Sequence, residues 1–151
     1  RKYRRNIMNY FICGICGYIA MDSAPEKCPV CTAPKEKFSQ NDAIFEESKA
    51  KAAEGAAKHV PSIWVDKETK LYPGTEFVTV HAKIGEVPHP MEEKHVIQFV
   101  DCYADKKWIK RAHFTPAVVP AITAHLKIQA SKITVIENCN LHGYWINETS
   151  L

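Results

Sequence analysis

Cys13 and Cys16 form one C-x2-C pair, Cys28 and Cys31 form a second, and eleven residues separate the two. Thiolates on two such knuckles converge on one ion, at about 2.3 Å from zinc and similarly from iron. The spacing points to a four-cysteine metal site rather than to four unrelated thiols. A further thiol lies near the C-terminus in "NCNLHGYW", where Cys139 and His142 stand three positions apart. That pair alone reads equally well as a buried structural thiol beside a solvated turn histidine. Three more histidines have unusual settings: His59 in "AAKHVP", His89 between Pro88 and Pro90, and His95 six residues later. The prolines stiffen the backbone around His89. Rigid loops presenting imidazoles beside a Cys-x2-His corner are what a preorganised mononuclear site needs.

The elements that must position these residues differ between the two ends of the chain. Tyr10 to Phe38 is too short to build an adequate core, so bound metal would supply much of its folding free energy. Residues 39–58 are rich in Ala, Glu and Lys, which favours partial helix, with Asn41 or Asp42 as cap and Gly55 as a stop. From Trp64 onward the period is that of strands. In "EFVTVHAKI", Val78, Val80, Ala82 and Ile84 share one face and Thr79, His81 and Lys83 the other. "HVIQFVDCY", "KWIKRAHF" and "KITVIENC" repeat the alternation, and no useful helical stripe follows residue 60. The expected fold class is mainly β: a small metal-knuckle domain, then an immunoglobulin-like antiparallel β-sandwich of about 90 residues. Cys139 shares a face with Ile133 and Val135, so its sulfur should point inward at one end of the sandwich.

The chain has 151 residues and a formal net charge of +3. Four of the cations lie in "RKYRR" before Met8, which reads as a natural start; without them the balance is 16 against 17. Nucleic-acid binding is therefore not expected. No run reaches the roughly 18 apolar residues of a membrane span, and no secretory segment is evident. A cytoplasmic protein is expected, and clustered cysteines in a reducing compartment are more often metal ligands than disulfides.

"CGICGY" followed by "CPVC" and "APKEKF" resembles the rubredoxin-like domain of rubrerythrins over residues 10–38. The resemblance implies a single redox-active iron on Cys13, Cys16, Cys28 and Cys31, with a structural zinc ribbon as the alternative. One departure is Thr32, where the family commonly has Gly at a position of positive φ. "KHVP", "VPHPMEEKH" and "CNLHGYW", from Lys58 to the C-terminus, resemble the superoxide reductases, the desulfoferrodoxin and neelaredoxin family. This resemblance implies a non-haem iron held equatorially by His59, His89, His95 and His142 and axially by the thiolate of Cys139. Four neutral imidazoles and one thiolate leave ferrous iron with a charge of +1 and one open position. Lys58 then takes a catalytic role, adding to the field that draws superoxide in. The thiolate pushes electron density through the iron. The expected organisation is a rubredoxin-like domain at 8–38, a partly helical linker at 39–57 and a superoxide reductase sandwich at 58–151.

The family often carries a glutamate directly before the Lys-His pair, closing the sixth position of the ferric site. Here that residue is Ala57, and Glu54 is the nearest carboxylate upstream. The ferric site is therefore expected to hold water or hydroxide. The implied partners are superoxide as substrate and an external electron donor such as rubredoxin or its reductase, within a homodimer or homotetramer. His81, His113 and His125 read as packing or surface residues, Cys102 as a buried thiol, and Trp108 and Trp145 as core or rim aromatics. Two rivals stand beside this reading. The first is an electron carrier without superoxide chemistry, cupredoxin-like or rubredoxin-type; a blue-copper site would want two His, one Cys and a weak axial Met, yet no Met follows Cys139 and four candidate His overfill such a site. A zinc-stabilised binding module leaves the clustered histidines without a purpose.

Overall fold

A computed structural model describes residues 8–52, 55–68 and 71–151, so the basic Arg1–Arg5 tip and Glu54 lie outside the described residues. The chain divides into two compact units, Arg1–Glu46 and Glu47–Leu151.

The first unit is built on three short antiparallel strands, β1 (Tyr10–Cys13), β2 (Ile19–Met21) and β3 (Phe38–Gln40), in the order β2-β1-β3. Its buried set is small: Cys13, Tyr18, Ile19, Ala20, Cys28, Ala33 and Phe45. Two of the seven are candidate metal ligands, so the core alone has little apolar area to bury. Edge-to-face contacts of Tyr18 with Phe38 and Tyr10 with Phe45 complete it. Thr32 takes φ +68°, the left-handed conformation that its neighbourhood demands and that a β-branched residue adopts only under strain. Helix α1 (Ile44–Lys51) spans the division between the units. Asn41 accepts the Ala43 N–H in the turn before it, while Asp42 instead ties back to the Tyr10 N–H.

The second unit is a seven-stranded sandwich. One sheet runs β4 (Pro61–Asp66), β5 (Val78–Ile84), β8 (Ala121–Leu126). The other runs in the order β10 (Gly143–Ser150), β9 (Lys132–Cys139), β6 (Ile97–Ala104), β7 (Lys107–His113), and every pairing is antiparallel. Four strands against three is an immunoglobulin-like layout. The core holds Val80, Ala82, Ile84, Ile97, Val100, Cys102, Ile133, Val135 and Cys139, the face that the alternation marks. The only helix in this unit beyond α1, among the described residues, is the single turn α2 (Ala56–His59).

Two features depart from the plain alternation. Gly55 does not end a helix. It is the N-cap of α2, and the described part of α1 has already stopped at Lys51. Strand β6 is buried on both faces, because Asp101 on the side away from the core is matched there by Arg111. Arg111 donates twice to the Asp101 carboxylate at 2.7 and 2.6 Å, Trp108 donates to it at 3.2 Å, and the guanidinium lies over Phe99. A carboxylate on a strand normally marks the solvent side; a bidentate Arg makes its burial tolerable. Cys102 is fully buried and burial pushes its thiol up to about 12, which keeps it inert.

Candidate metal centres

In the first unit the two knuckles close on each other. The sulfurs of Cys13 and Cys31 are 3.6 Å apart, as are those of Cys16 and Cys28, and all four lie within 4.8 Å of one another. A tetrahedron with metal–sulfur bonds of about 2.3 Å has edges of about 3.8 Å, so the cradle fits one ion. Backbone amides are aimed at the sulfurs: Tyr18 at Cys16, Val30 and Cys31 at Cys28, and Ala33 at Cys31. Burial pushes the thiols of Cys16 and Cys28 up. At Cys31 burial acts the same way, but the Ala33 amide and the neighbouring thiols outweigh it and the pKa falls. None of the six cysteines is in a disulfide.

In the second unit three separate segments meet at one end of the sandwich. α2 delivers His59, the loop after β5 delivers His89 and His95, and the turn between β9 and β10 delivers Cys139 and His142. The four imidazoles form a closed ring. Centroids of His59 and His89 are 4.7 Å apart, His89 and His95 4.6 Å, His95 and His142 5.0 Å, and His142 and His59 5.0 Å. Every contact is edge-on, with interplanar angles of 74–86°. The Cys139 sulfur lies 3.5 Å from His89 Nε2 and 3.8 Å from His142 Nδ1.

Hydrogen bonds fix which nitrogen is free in two of the rings. His59 Nδ1 donates to the Gly55 carbonyl at 2.7 Å, and His89 Nδ1 donates to the Pro90 carbonyl at 2.6 Å. Both Nε2 atoms of these neutral rings then carry lone pairs, and they face each other at 3.2 Å. Burial pushes the His59, His89 and His95 imidazoles down, His89 to about 4, and their proximity to one another adds to the effect. A proton between the lone pairs is thus disfavoured, and a metal cation is what relieves the repulsion. Donors held cis at about 2.1 Å from one ion lie about 3.0 Å apart, close to the spacing found. His95 Nε2 is buried with no hydrogen-bond partner among the described residues, as an unfilled ligand position requires.

The surroundings hold this arrangement stiffly. Trp145 is stacked on His59 at 4.8 Å and donates its indole N–H to the His142 carbonyl. Gly143 adopts φ +77°, and a Cβ there would meet Ser48 Oγ at 2.7 Å; that hydroxyl oxygen accepts the Tyr144 N–H. Gly85 is equally constrained, since a Cβ would fall 2.5 Å from the Ala57 carbonyl, which in turn accepts the Val87 N–H. The backbone of Ala57 and Lys58 is thereby pinned beside the site. The charge of Lys58 adds to the downward push on His59 and His95, which puts the ammonium within electrostatic range of the ring of imidazoles.

Burial also pushes the Cys139 thiol up, while the backbone N–H groups of Leu141 and His142 act against it and the nearby Glu137 adds to the rise. A bound cation inverts that balance and holds the sulfur as thiolate. Glu137 is fully buried. Burial pushes its carboxyl well above the usual range against the weaker pull of the Cys139 amide, and neither oxygen has a well-formed hydrogen bond among the described residues.

The remaining histidines stay outside the cluster. His81 stacks on Trp64 and bonds the Thr123 hydroxyl, His125 bonds the Thr79 hydroxyl, and His113 lies edge-on to Phe99. Spacing gave no hint of the Gly55 and Pro90 carbonyls, of Ser48 or of Glu137. The one legible signal was the proline after His89.

Comparison with known proteins matches a segment of each unit. The rubredoxin-like domain of rubrerythrin matches residues 11–39, and desulfoferrodoxin matches residues 51–148. A desulfoferrodoxin of Syntrophotalea carbinolica is 32% identical over 150 residues, covering 93% of this chain and 96% of its own. Among solved structures, a superoxide reductase (neelaredoxin) from Ignicoccus hospitalis aligns with a TM-score of 0.57 at 26% identity, covering 73% of this chain and 94% of that one. A superoxide reductase from Nanoarchaeum equitans aligns with a TM-score of 0.54 at 31% identity, covering 63% and 94%. The matches span both units of the chain, and on that ground the chain belongs to the desulfoferrodoxin family.

Proposed function

We propose that this chain is a superoxide reductase, in which His59, His89, His95, His142 and the Cys139 thiolate hold one mononuclear iron. The observation that carries the reading is the closed ring of four imidazoles with two unprotonated Nε2 atoms facing each other at 3.2 Å beside a buried thiol. Ferrous iron held by these five residues would supply the one electron that, with two protons, converts superoxide to hydrogen peroxide. The chain's own residues do the rest. Lys58 places a fixed positive charge beside the imidazoles and draws in the anion, an effect that raises association rates by about 10- to 1,000-fold. The Gly55 and Pro90 carbonyls keep His59 and His89 neutral and correctly turned, and the Leu141 and His142 amides support negative charge on sulfur. Protons come from solvent at the Lys58 side. Ala57 brings no carboxylate to this mouth, so iron held there in the oxidised state would take water or hydroxide at its open position.

The four cysteines of the first unit hold a second, rubredoxin-like iron that stores one electron. Each turnover consumes an electron, so an external donor is needed, rubredoxin or its reductase. Six cysteines outside any disulfide suit the cytoplasm, and a homodimer or homotetramer is the assembly we assign. Among the described residues no helix is long and apolar enough to cross a membrane.

The test is pulse radiolysis of the reduced protein, with iron measured on the same sample. One peroxide per superoxide consumed is expected, with a second-order rate that falls in Lys58→Ala and with rising salt. Absence of stoichiometric peroxide while both irons are in place refutes the function.

A further inference from the structure

We infer that Asn140 is the positioning residue for His95, a role that rests on reading the five donors as one iron site. The ring orientations of the other histidines have visible causes. His59 and His89 are turned by carbonyls accepting from Nδ1, and His142 is placed by the short turn from Cys139. His95 has no ring hydrogen bond of this kind among the described residues, and its buried Nε2 is unpartnered. What holds it is its backbone: the His95 N–H and carbonyl pair with Glu92 at 3.1 and 2.9 Å, and the residues on either side of His95 are gripped by one side chain. The Val96 N–H donates to Asn140 Oδ1 at 2.9 Å, and Asn140 Nδ2 donates to the Lys94 carbonyl at 3.0 Å. The Asn140 N–H donates to the Val96 carbonyl at 3.1 Å.

A primary amide is the group for this task, because it offers an acceptor and a donor in one plane. The flanking backbone also settles which way the amide faces, since the Val96 N–H needs an acceptor and the Lys94 carbonyl a donor. Asn140 directly follows Cys139, so the same grip that orients His95 fixes it relative to the sulfur. Cys139, Asn140 and His142 therefore form a corner that supplies the sulfur, the grip on the backbone around His95 and one imidazole in turn. No part of this is a contact of Asn140 with the metal, so it acts only through His95.

The experiment is a double-mutant cycle on the full chain. The four-cysteine site is first filled with one equivalent of zinc, which is spectroscopically silent, and the second site is titrated with Co(II) against a chelator. Asn140→Ala is expected to weaken Co(II) binding by about 10- to 100-fold, with a ligand-field spectrum shifted toward that of His95→Ala. In the His95→Ala background the same change should cost less than about threefold, because its target is gone. Asn140→Asp keeps the acceptor for Val96 and removes the donor to Lys94, so it should lose affinity in the same direction, and it carries the test where the alanine variant does not fold. Unchanged Co(II) affinity, or an equal loss in both backgrounds, overturns the assignment. Retained exchange protection of the Val96 amide in metal-free Asn140→Ala also overturns it. A wild-type chain that takes up no Co(II) after zinc loading, or a His95→Ala variant that binds as wild type does, refutes the iron-site reading instead.

Discussion

Replacing Gly143 by alanine strikes the metal corner without touching a ligand. Two separable penalties arise. The residue sits at φ +77°, where an L side chain costs about 1–2 kcal/mol. Its new Cβ would also lie 2.7 Å from Ser48 Oγ, so the serine must move and release the Tyr144 N–H it accepts. A part-buried amide left unpaired costs about 1–3 kcal/mol. Gly143→Ala should therefore destabilise the second unit by about 2–5 kcal/mol in urea unfolding followed by tryptophan fluorescence, where Trp145 in the same corner reports. Ser48→Ala removes the acceptor of the Tyr144 N–H without adding backbone strain, and should cost about 1–3 kcal/mol. The double variant has room for the new methyl, since Ser48 Cβ is already at an ordinary 3.7 Å. Its cost should fall short of the sum of the two single variants by about 1–3 kcal/mol, because the lost acceptor is then counted once beside the backbone strain. Strict additivity would refute the idea that Ser48 and Gly143 are complementary, and a neutral Gly143→Ala would refute the strain as well.

Thr32→Gly removes a β-branched residue from φ +68°, and after allowing for glycine's extra chain entropy it should stabilise the metal-loaded first unit by about 0.5–1 kcal/mol in thermal melts; a lower midpoint would refute it. The metal-free chain should lose stability as pH falls from about 6.5 toward about 4. His59, His89 and His95 have depressed folded pKa values, so in that window the unfolded chain binds more protons. Discounted for solvent screening, His89 contributes about 2 kcal/mol of this loss. Filling the site should move the fall to lower pH, and a flat profile for the metal-free chain would contradict the assignment of buried neutral rings.

The four-cysteine candidates were legible because paired thiols carry their chemistry in residue type and spacing, the histidine and Cys139 candidates through a family resemblance, and the strands because their period is short-range. Val80, Ala82 and Ile84 face the core as alternation requires, and Cys139 follows Ile133 and Val135 inward. What stayed hidden depends on distant chain segments. Asp101 is readable as buried only once Arg111 is seen beside it across the hairpin. The closure over Gly143 joins residues 96 positions apart. Gly55 looked like a helix stop, but it opens α2 and supplies the carbonyl that turns His59. Thr32 went the other way: its strain was foreseeable, since the knuckle geometry fixes φ whatever residue is present.

The two N–H groups that face the Cys139 sulfur belong to the backbone of Leu141 and His142. Their presence does not depend on which side chain occupies position 141. That position can drift through nearly the whole amino-acid alphabet during descent and the thiolate keeps the same electrical surroundings. Proline is the exception, because it alone deletes the donor. The corner's electronic setting is thus inherited through the shape of a turn, and a lineage can retune the exposed surface around Leu141, for a new donor or a new assembly, without resetting the centre beneath it.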